Sequence, residues 1–179
     1  MNGLEPGDAG LPFDLRNASN SGEARISFPE IVTDVGCIVV FTCNHCPYVI
    51  GNESRIESIA ARAREAGISF VGINSNDPVN YPTDGWEPMQ KRAEKMSYDY
   101  LHDSTQEVAK AWGAERTPEF YLLNDSGIIV YRGRLDDSPK DPSHATTSEL
   151  SDAIDALLNG ESPLIPRTDS IGCSVKWKV

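Results

Sequence analysis

Gly36-Cys-Ile-Val-Val-Phe-Thr42, followed at once by Cys43-Asn-His-Cys-Pro47, is the stretch that decides the fold. The first part is a continuous apolar run too short for a helix. Its β-branched content and the turn-like residues around it read as a strand buried on both faces, as in a parallel sheet. Pro47 suits the first position of a helix, where a missing N–H costs nothing. Ile56, Ile59, Ala60 and Ala63 then recur at helical spacing, and Gly67 offers a stop. Gly51-Asn52 is a weak spot that can kink the first turns. Ile68–Ile73 reads as a second buried strand, so strand, helix and strand form a right-handed parallel crossover.

Outward from this unit the signals are lighter. Residues 1–35 form a loop-rich extension with short strands expected at Phe13–Arg16 and Arg25–Phe28. Beyond the loop Asn74–Gly85, a helix is expected over Trp86–Met96 and a short strand over Tyr98–Leu101. Ser104–Trp112 carries a capping-box pattern, Ser104 with Glu107 three residues on, and ends at Gly113. The runs Glu119–Leu123 and Ile128–Tyr131 flank Asn124-Asp-Ser-Gly127, a hairpin signal. Ser148–Leu158 is the last amphipathic helix, and residues 161–179, with Pro163 and Pro166, read as an irregular tail. The sum is one α/β domain over residues 1–179, a mixed central sheet with helices on both faces.

The chain has 179 residues, enough for one sizeable core. Its formal charge of −11 argues against nucleic acid or an anionic membrane as a partner. No apolar run approaches the ~20 residues of a spanning helix. Met1–Gly10 has neither the basic start nor the apolar stretch of a secretory signal, so the expected compartment is the cytoplasm. Four cysteines, Cys37, Cys43, Cys46 and Cys173, are too few for a disulfide scaffold, and two of them form a close pair. In a cytosolic chain such a pair points to redox chemistry or to a metal.

Cys43 follows a buried strand and lies at the mouth of a helix that starts near Cys46 or Pro47. Helix N-terminal N–H groups stabilise a thiolate there, which makes Cys43 the expected nucleophile. The two-residue spacing lets Cys46 resolve a mixed disulfide. His45 is expected to tune the thiolate by donation or by charge. Stabilising the thiolate stabilises the reduced form, and pairs of this kind span about −270 to −120 mV. No cofactor is required, because the sulfurs carry the electrons. A zinc or copper(I) site built on the two thiolates is the alternative. Its other half is missing for zinc, since Cys173, His102 and His144 are scattered singles. Cys37 reads as core, Trp86 and Trp112 as packing residues. Cys173 is either an accessory redox cysteine on a tail that folds back, or a free tail thiol.

These residues resemble the thioredoxin superfamily, and within it the peroxiredoxin-like redoxins grouped with alkyl hydroperoxide reductase and thiol-specific antioxidant proteins. The resemblance runs from about Cys37 onward. It rests on Phe41-Thr-Cys-Asn-His-Cys-Pro-Tyr-Val49, Ile73-Asn-Ser-Asn-Asp77 and Asp103–Ala111. Thr117-Pro118, Tyr131-Arg-Gly133 and Ile171-Gly-Cys-Ser-Val-Lys-Trp-Lys178 add to it. It implies a thioredoxin-like fold in which the bond before Pro118 is cis and faces the cysteine pair, with the Thr117 backbone contacting the substrate. Relatives often carry a cysteine at the position of Arg116, where a cation near Cys43 would favour its thiolate. Peroxiredoxins present Pro-x-x-x-Thr-x-x-Cys; counting back from Cys43 gives Val40 and Gly36, and from Cys46 gives Cys43 and Val39. The resemblance therefore implies a thiol–disulfide oxidoreductase first and a hydroperoxide-reducing peroxidase second, a metal carrier or redox sensor being the non-enzymatic reading. Its partners would be protein or small-molecule disulfides and a reductant such as a thioredoxin or a low-molecular-weight thiol.

Overall fold

The computed structural model describes residues 3–179. Strands β1 (Phe13–Asn17) and β2 (Arg25–Phe28) form an antiparallel pair ahead of β3 (Gly36–Thr42), in which every residue is buried. Side chains of a strand alternate between faces. Ile38 and Val40 pack on one side with Ile56, Ala60, Leu150 and Ile154. Cys37, Val39 and Phe41 pack on the other with Leu101, Trp112 and Tyr121. With a core on each face, β3 has no polar side, which is why its sequence is continuous rather than alternating. Each fully buried Val, Ile or Phe contributes about 1.5–3 kcal/mol, so this strand anchors both layers.

The helix after β3 is broken where the sequence is weak: α1 (Pro47–Ile50) stops at Gly51-Asn52, and α2 (Glu53–Glu65) resumes with Ile56, Ile59, Ala60 and Ala63 inward. Strand β4 (Ser69–Asn74) returns parallel to β3, Cys37 opposite Ser69 and Thr42 opposite Asn74. Next come α3 (Trp86–Ala93) and β5 (Asp99–His102), parallel to β4, then α4 (Glu107–Trp112) and the two-residue β6 (Arg116–Thr117). The hairpin of β7 (Glu119–Asn124) and β8 (Ile129–Gly133) lies antiparallel beside β3, and α5 (Glu149–Leu158) precedes the tail, which holds β9 (Cys173–Ser174). The seven-stranded sheet has the order β2-β1-β5-β4-β3-β7-β8. Helices α2 and α5 cover one face and α4 the other. Among the described residues no helix is long and apolar enough to cross a membrane.

Two local expectations are corrected. The Ser104/Glu107 capping box does not form. Helix α4 begins at Glu107 after Gln106, which has φ 68°, and its start is capped by the buried Asp103 carboxylate, which accepts from the N–H groups of Val108 (3.3 Å) and Ala109 (2.9 Å). The tail is also less irregular than its prolines suggest, because β9 pairs antiparallel with β6, Arg116 opposite Ser174 and Thr117 opposite Cys173.

Candidate active site

Cys43, Asn44 and His45 cross from the end of β3 to Cys46, which caps α1: the Cys46 carbonyl accepts the N–H groups of Val49 and Ile50, both at 2.9 Å, with Pro47 next in line. The end of the central strand thus fixes Cys43, and the start of the helix fixes Cys46. Both residues are fully buried, in a small cluster with Val49 against which Tyr48 and Cys173 pack.

The two sulfurs are not equivalent. The neighbouring Cys43 thiol, then Cys173 and the Val49 backbone, favour the charged form of Cys46 more than burial opposes it, and its pKa is drawn down to about 4. Cys43 moves the other way. Donating to Cys46, buried, and close to Asp84, it is held protonated well above the ordinary thiol range, the Thr117 hydroxyl at 3.5 Å opposing this only in part. Cys37, deep in the core, is pushed up to about 12 by burial alone and is chemically quiet.

Beneath Cys43 lies a buried polar network that the sequence reading did not find. Asp84 has no exposed surface. Its Oδ1 accepts from the Asn44 N–H (2.7 Å) and from Asn74 Nδ2 (3.1 Å), and its Oδ2 from Asn76 Nδ2 (3.0 Å). The Tyr100 hydroxyl extends the network, donating to Asn44 Oδ1 (2.7 Å) and accepting from Asn74 Nδ2 (3.2 Å). His45, expected to tune the Cys43 thiolate, has its Nδ1 2.5 Å from Asp84 Oδ2 without hydrogen-bond alignment, and its ring stacks on Tyr81 (5.8 Å, 3°). One ligand atom each of Cys43, His45 and Asp84 lie within 4.8 Å of one another. This gives the metal reading a carboxylate it lacked, although Asp84 already accepts from three amide groups. The one sequence signal for the network was Asn74-Ser-Asn-Asp77 directly after a buried strand, where four polar residues in a row need partners.

Across from the pair, the Thr117–Pro118 bond is cis. Cys46 Sγ, when it carries its proton, donates to the Thr117 carbonyl oxygen (3.5 Å), and the Thr117 hydroxyl faces Cys43, so this one residue touches both sulfurs. Arg116 is exposed and donates to the Gly172 carbonyl (3.1 Å), so its charge is directed at the tail. Cys173 comes to Cys46 although 127 residues separate them in sequence (173 − 46).

The frame that carries this pair is thioredoxin-like, and the protein is an oxidoreductase. The family model described as Redoxin matches residues 16–153, and the chain belongs to the Redoxin family. It is similar to the crystal structure of an uncharacterized conserved protein from Geobacillus kaustophilus, with 38% identity and a TM-score of 0.90 over 99% of this chain and 94% of that one. A hypothetical protein from Sinorhizobium meliloti 1021 is 30% identical, with a TM-score of 0.90 over 99% of this chain and 97% of the other. Peroxidoxin BcpB from Mycobacterium tuberculosis shares the fold at 17% identity, with a TM-score of 0.60 over 88% of this chain and 97% of its own. No curated protein matches the chain.

Proposed function

We propose that the protein is a thiol–disulfide oxidoreductase in which Cys46 attacks and Cys43 resolves, the reverse of the roles that the order of the two residues suggests. The observation that carries this is the place of Cys46 as the cap of α1, in the cluster against which Cys173 packs, while Cys43 lies beside the buried Asp84 carboxylate; the thiol of Cys46 is accordingly drawn down and that of Cys43 pushed up. A thiolate, not a thiol, is the nucleophile in exchange. The Cys46 thiolate attacks a substrate disulfide, forms a mixed disulfide and releases one substrate thiolate. Cys43 then loses its proton and attacks Cys46 Sγ, releasing the second substrate thiol and leaving Cys43–Cys46 oxidised. Asp84 and His45, grouped with Cys43, are placed to receive that proton. Thr117, before Pro118, holds the substrate beside the sulfurs. A thioredoxin or a low-molecular-weight thiol returns the pair to the dithiol, which suits a reducing cytoplasm.

Stopped-flow oxidation of the reduced protein by glutathione disulfide tests this. Cys46→Ser abolishes the reaction. Cys43→Ser combined with Cys173→Ser, which leaves no second thiol to resolve, still reacts once and stops as a stable glutathione adduct. The opposite pattern, adduct on Cys43 in Cys46→Ser and no reaction in Cys43→Ser, restores the other assignment. Hydrogen peroxide run alongside reports the peroxidase reading: neither register supplies the Thr and Pro of the peroxide-binding motif, and the expected reaction is slower than with the disulfide.

A further inference from the structure

In a thioredoxin-like frame the backbone beside the proline facing the cysteines is an open edge where an extended substrate can pair. Here that edge is taken. Strand β9 lies antiparallel on β6 with Cys173 in register with Thr117. The segment around it is held along its length. Arg116 Nη1 donates to the Gly172 carbonyl (3.1 Å), and Val175 N–H to the Glu115 carbonyl (3.0 Å). The Lys176 carbonyl accepts from Asp77 N–H and from Gln106 Nε2, both at 2.8 Å, and Lys176 N–H donates to Asn76 Oδ1 (2.9 Å). Lys178 N–H donates to Gln106 Oε1 (2.9 Å). The approach at Gly172 is so close that a Cβ there would collide with the Thr117 carbonyl. The outcome is a third sulfur, Cys173, packed on Cys46 and only partly buried, while the other two are sealed.

We propose that the tail is a built-in stand-in for a disulfide substrate: Cys173 takes the place of the substrate's sulfur on the Thr117 edge and forms a Cys46–Cys173 disulfide in exchange with Cys43–Cys46. This rests on the reading of Cys46 as the attacking sulfur. The step is isoelectronic. Cys173, as thiolate, attacks Cys46 Sγ of the Cys43–Cys46 disulfide. The Cys46–Cys173 bond forms, the Cys43–Cys46 bond breaks, and the proton given up by Cys173 ends on Cys43. No further oxidant is consumed, since the oxidising equivalents came from the external disulfide. Burial and the neighbouring Cys46 charge raise the Cys173 thiol to about 11, which keeps it idle beside the reduced thiolate and frees it to attack once Cys46 is oxidised and that charge is gone. An external polypeptide disulfide must lift the tail before it can pair with Thr117, so the chain's own Cys173 is the first competitor of every substrate.

The test is disulfide mapping of the full chain after oxidation by glutathione disulfide, acid quench, alkylation and peptide mass spectrometry. The wild type yields both Cys43–Cys46 and Cys46–Cys173. Cys43→Ser yields Cys46–Cys173, and Cys173→Ser yields only Cys43–Cys46. Gly172→Ala keeps all three sulfurs but pushes the tail off its edge. Overpacking of this kind shifts such an equilibrium by about tenfold or more, so the yield of Cys46–Cys173 falls and alkylation of reduced Cys46 by iodoacetamide quickens to that extent. Cys43–Cys46 as the sole product in the wild type, with no intramolecular disulfide in Cys43→Ser, overturns the proposal and leaves the dithiol reading standing. Failure of every variant and of the wild type to form any disulfide sinks both.

Discussion

In the proposed mechanism, Asp84 is the residue on which the second half-reaction turns. Four neighbours, Asn44, Asn74, Asn76 and His45, hold its carboxylate against Cys43, in a place where an unpaired buried charge would be ruinous. Asp84→Asn keeps the shape but removes the charge and the proton acceptor. Attack by Cys46 is expected to survive, whereas resolution by Cys43 slows by about 10²-fold, the ordinary contribution of a positioned base. Rapid-quench kinetics will show this as accumulation of the mixed disulfide; equal slowing of both steps would mean a purely structural role. The pairing of Asp84 with Asn44 was invisible in sequence, because 40 residues separate them and a lone Asp in Thr83-Asp84-Gly85 looks like any loop residue. By contrast, Pro47 already carried the information that Cys46 caps the helix. A proline at the first helical position makes the residue before it the cap, which is the ground for the proposal that Cys46, rather than Cys43, carries the thiolate.

The elements were legible where the physics is local. The apolar runs of β3 and β4, the helical spacing of α2, the break at Gly51-Asn52 and the β7–β8 hairpin all emerge where their residues place them. Helix α4 shows how a local pattern loses to a buried partner. Asp103 is fully buried, accepts the Ser75 hydroxyl (2.7 Å) along with two helix N–H groups, and leaves Ser104 no capping role. Removing it with Asp103→Ala strands those donors at a cost of about 2–3 kcal/mol, read as a lower midpoint in urea unfolding. Ser104→Ala is expected to change the midpoint little; a loss as large as that from Asp103→Ala would reinstate the capping box. The β6–β9 pairing has no local signature at all. Two-residue strands leave no periodicity, and only the folded sheet brings Thr117 and Cys173 into register.

At the scale of the whole molecule, one arginine ties the ends of the chain to its middle. Arg132 on β8 is buried, with Nε on Glu119 Oε2 (3.1 Å), Nη1 on the Leu4 carbonyl (2.8 Å) and Glu5 Oε1 (3.0 Å), and Nη2 on the Gly113 carbonyl (2.7 Å). Arg167 in the tail reaches the same Glu5 (2.8 Å). Glu119 sits two residues after Thr117, so the network that closes the N-terminal segment and the tail on the sheet also braces the strand opposite the cysteines. Arg132→Met leaves the Glu119 carboxylate buried and unpaired, and a loss of about 3–5 kcal/mol is expected in denaturant unfolding. Arg132→Met/Glu119→Gln should recover part of it; no recovery would show that packing, not charge, is what Arg132 supplies.

The claim on which the account stands is that Cys46 carries the thiolate while Cys43 keeps the proton. The measurement that tests it most directly is a pH titration of thiolate ultraviolet absorbance in the fully reduced protein, with Cys46→Ser and Cys43→Ser in parallel. A folded-state pKa below the unfolded value means that the thiolate's stabilisation is complete above the unfolded thiol pKa and is lost as pH falls through the folded one. The account predicts a thiolate already present at neutral pH that disappears with a midpoint of about 4. That step is absent in Cys46→Ser and persists in Cys43→Ser, whose hydroxyl still donates to Cys46. A wild-type protein with no thiolate until the ordinary thiol range, or an acidic step that survives Cys46→Ser, would contradict it.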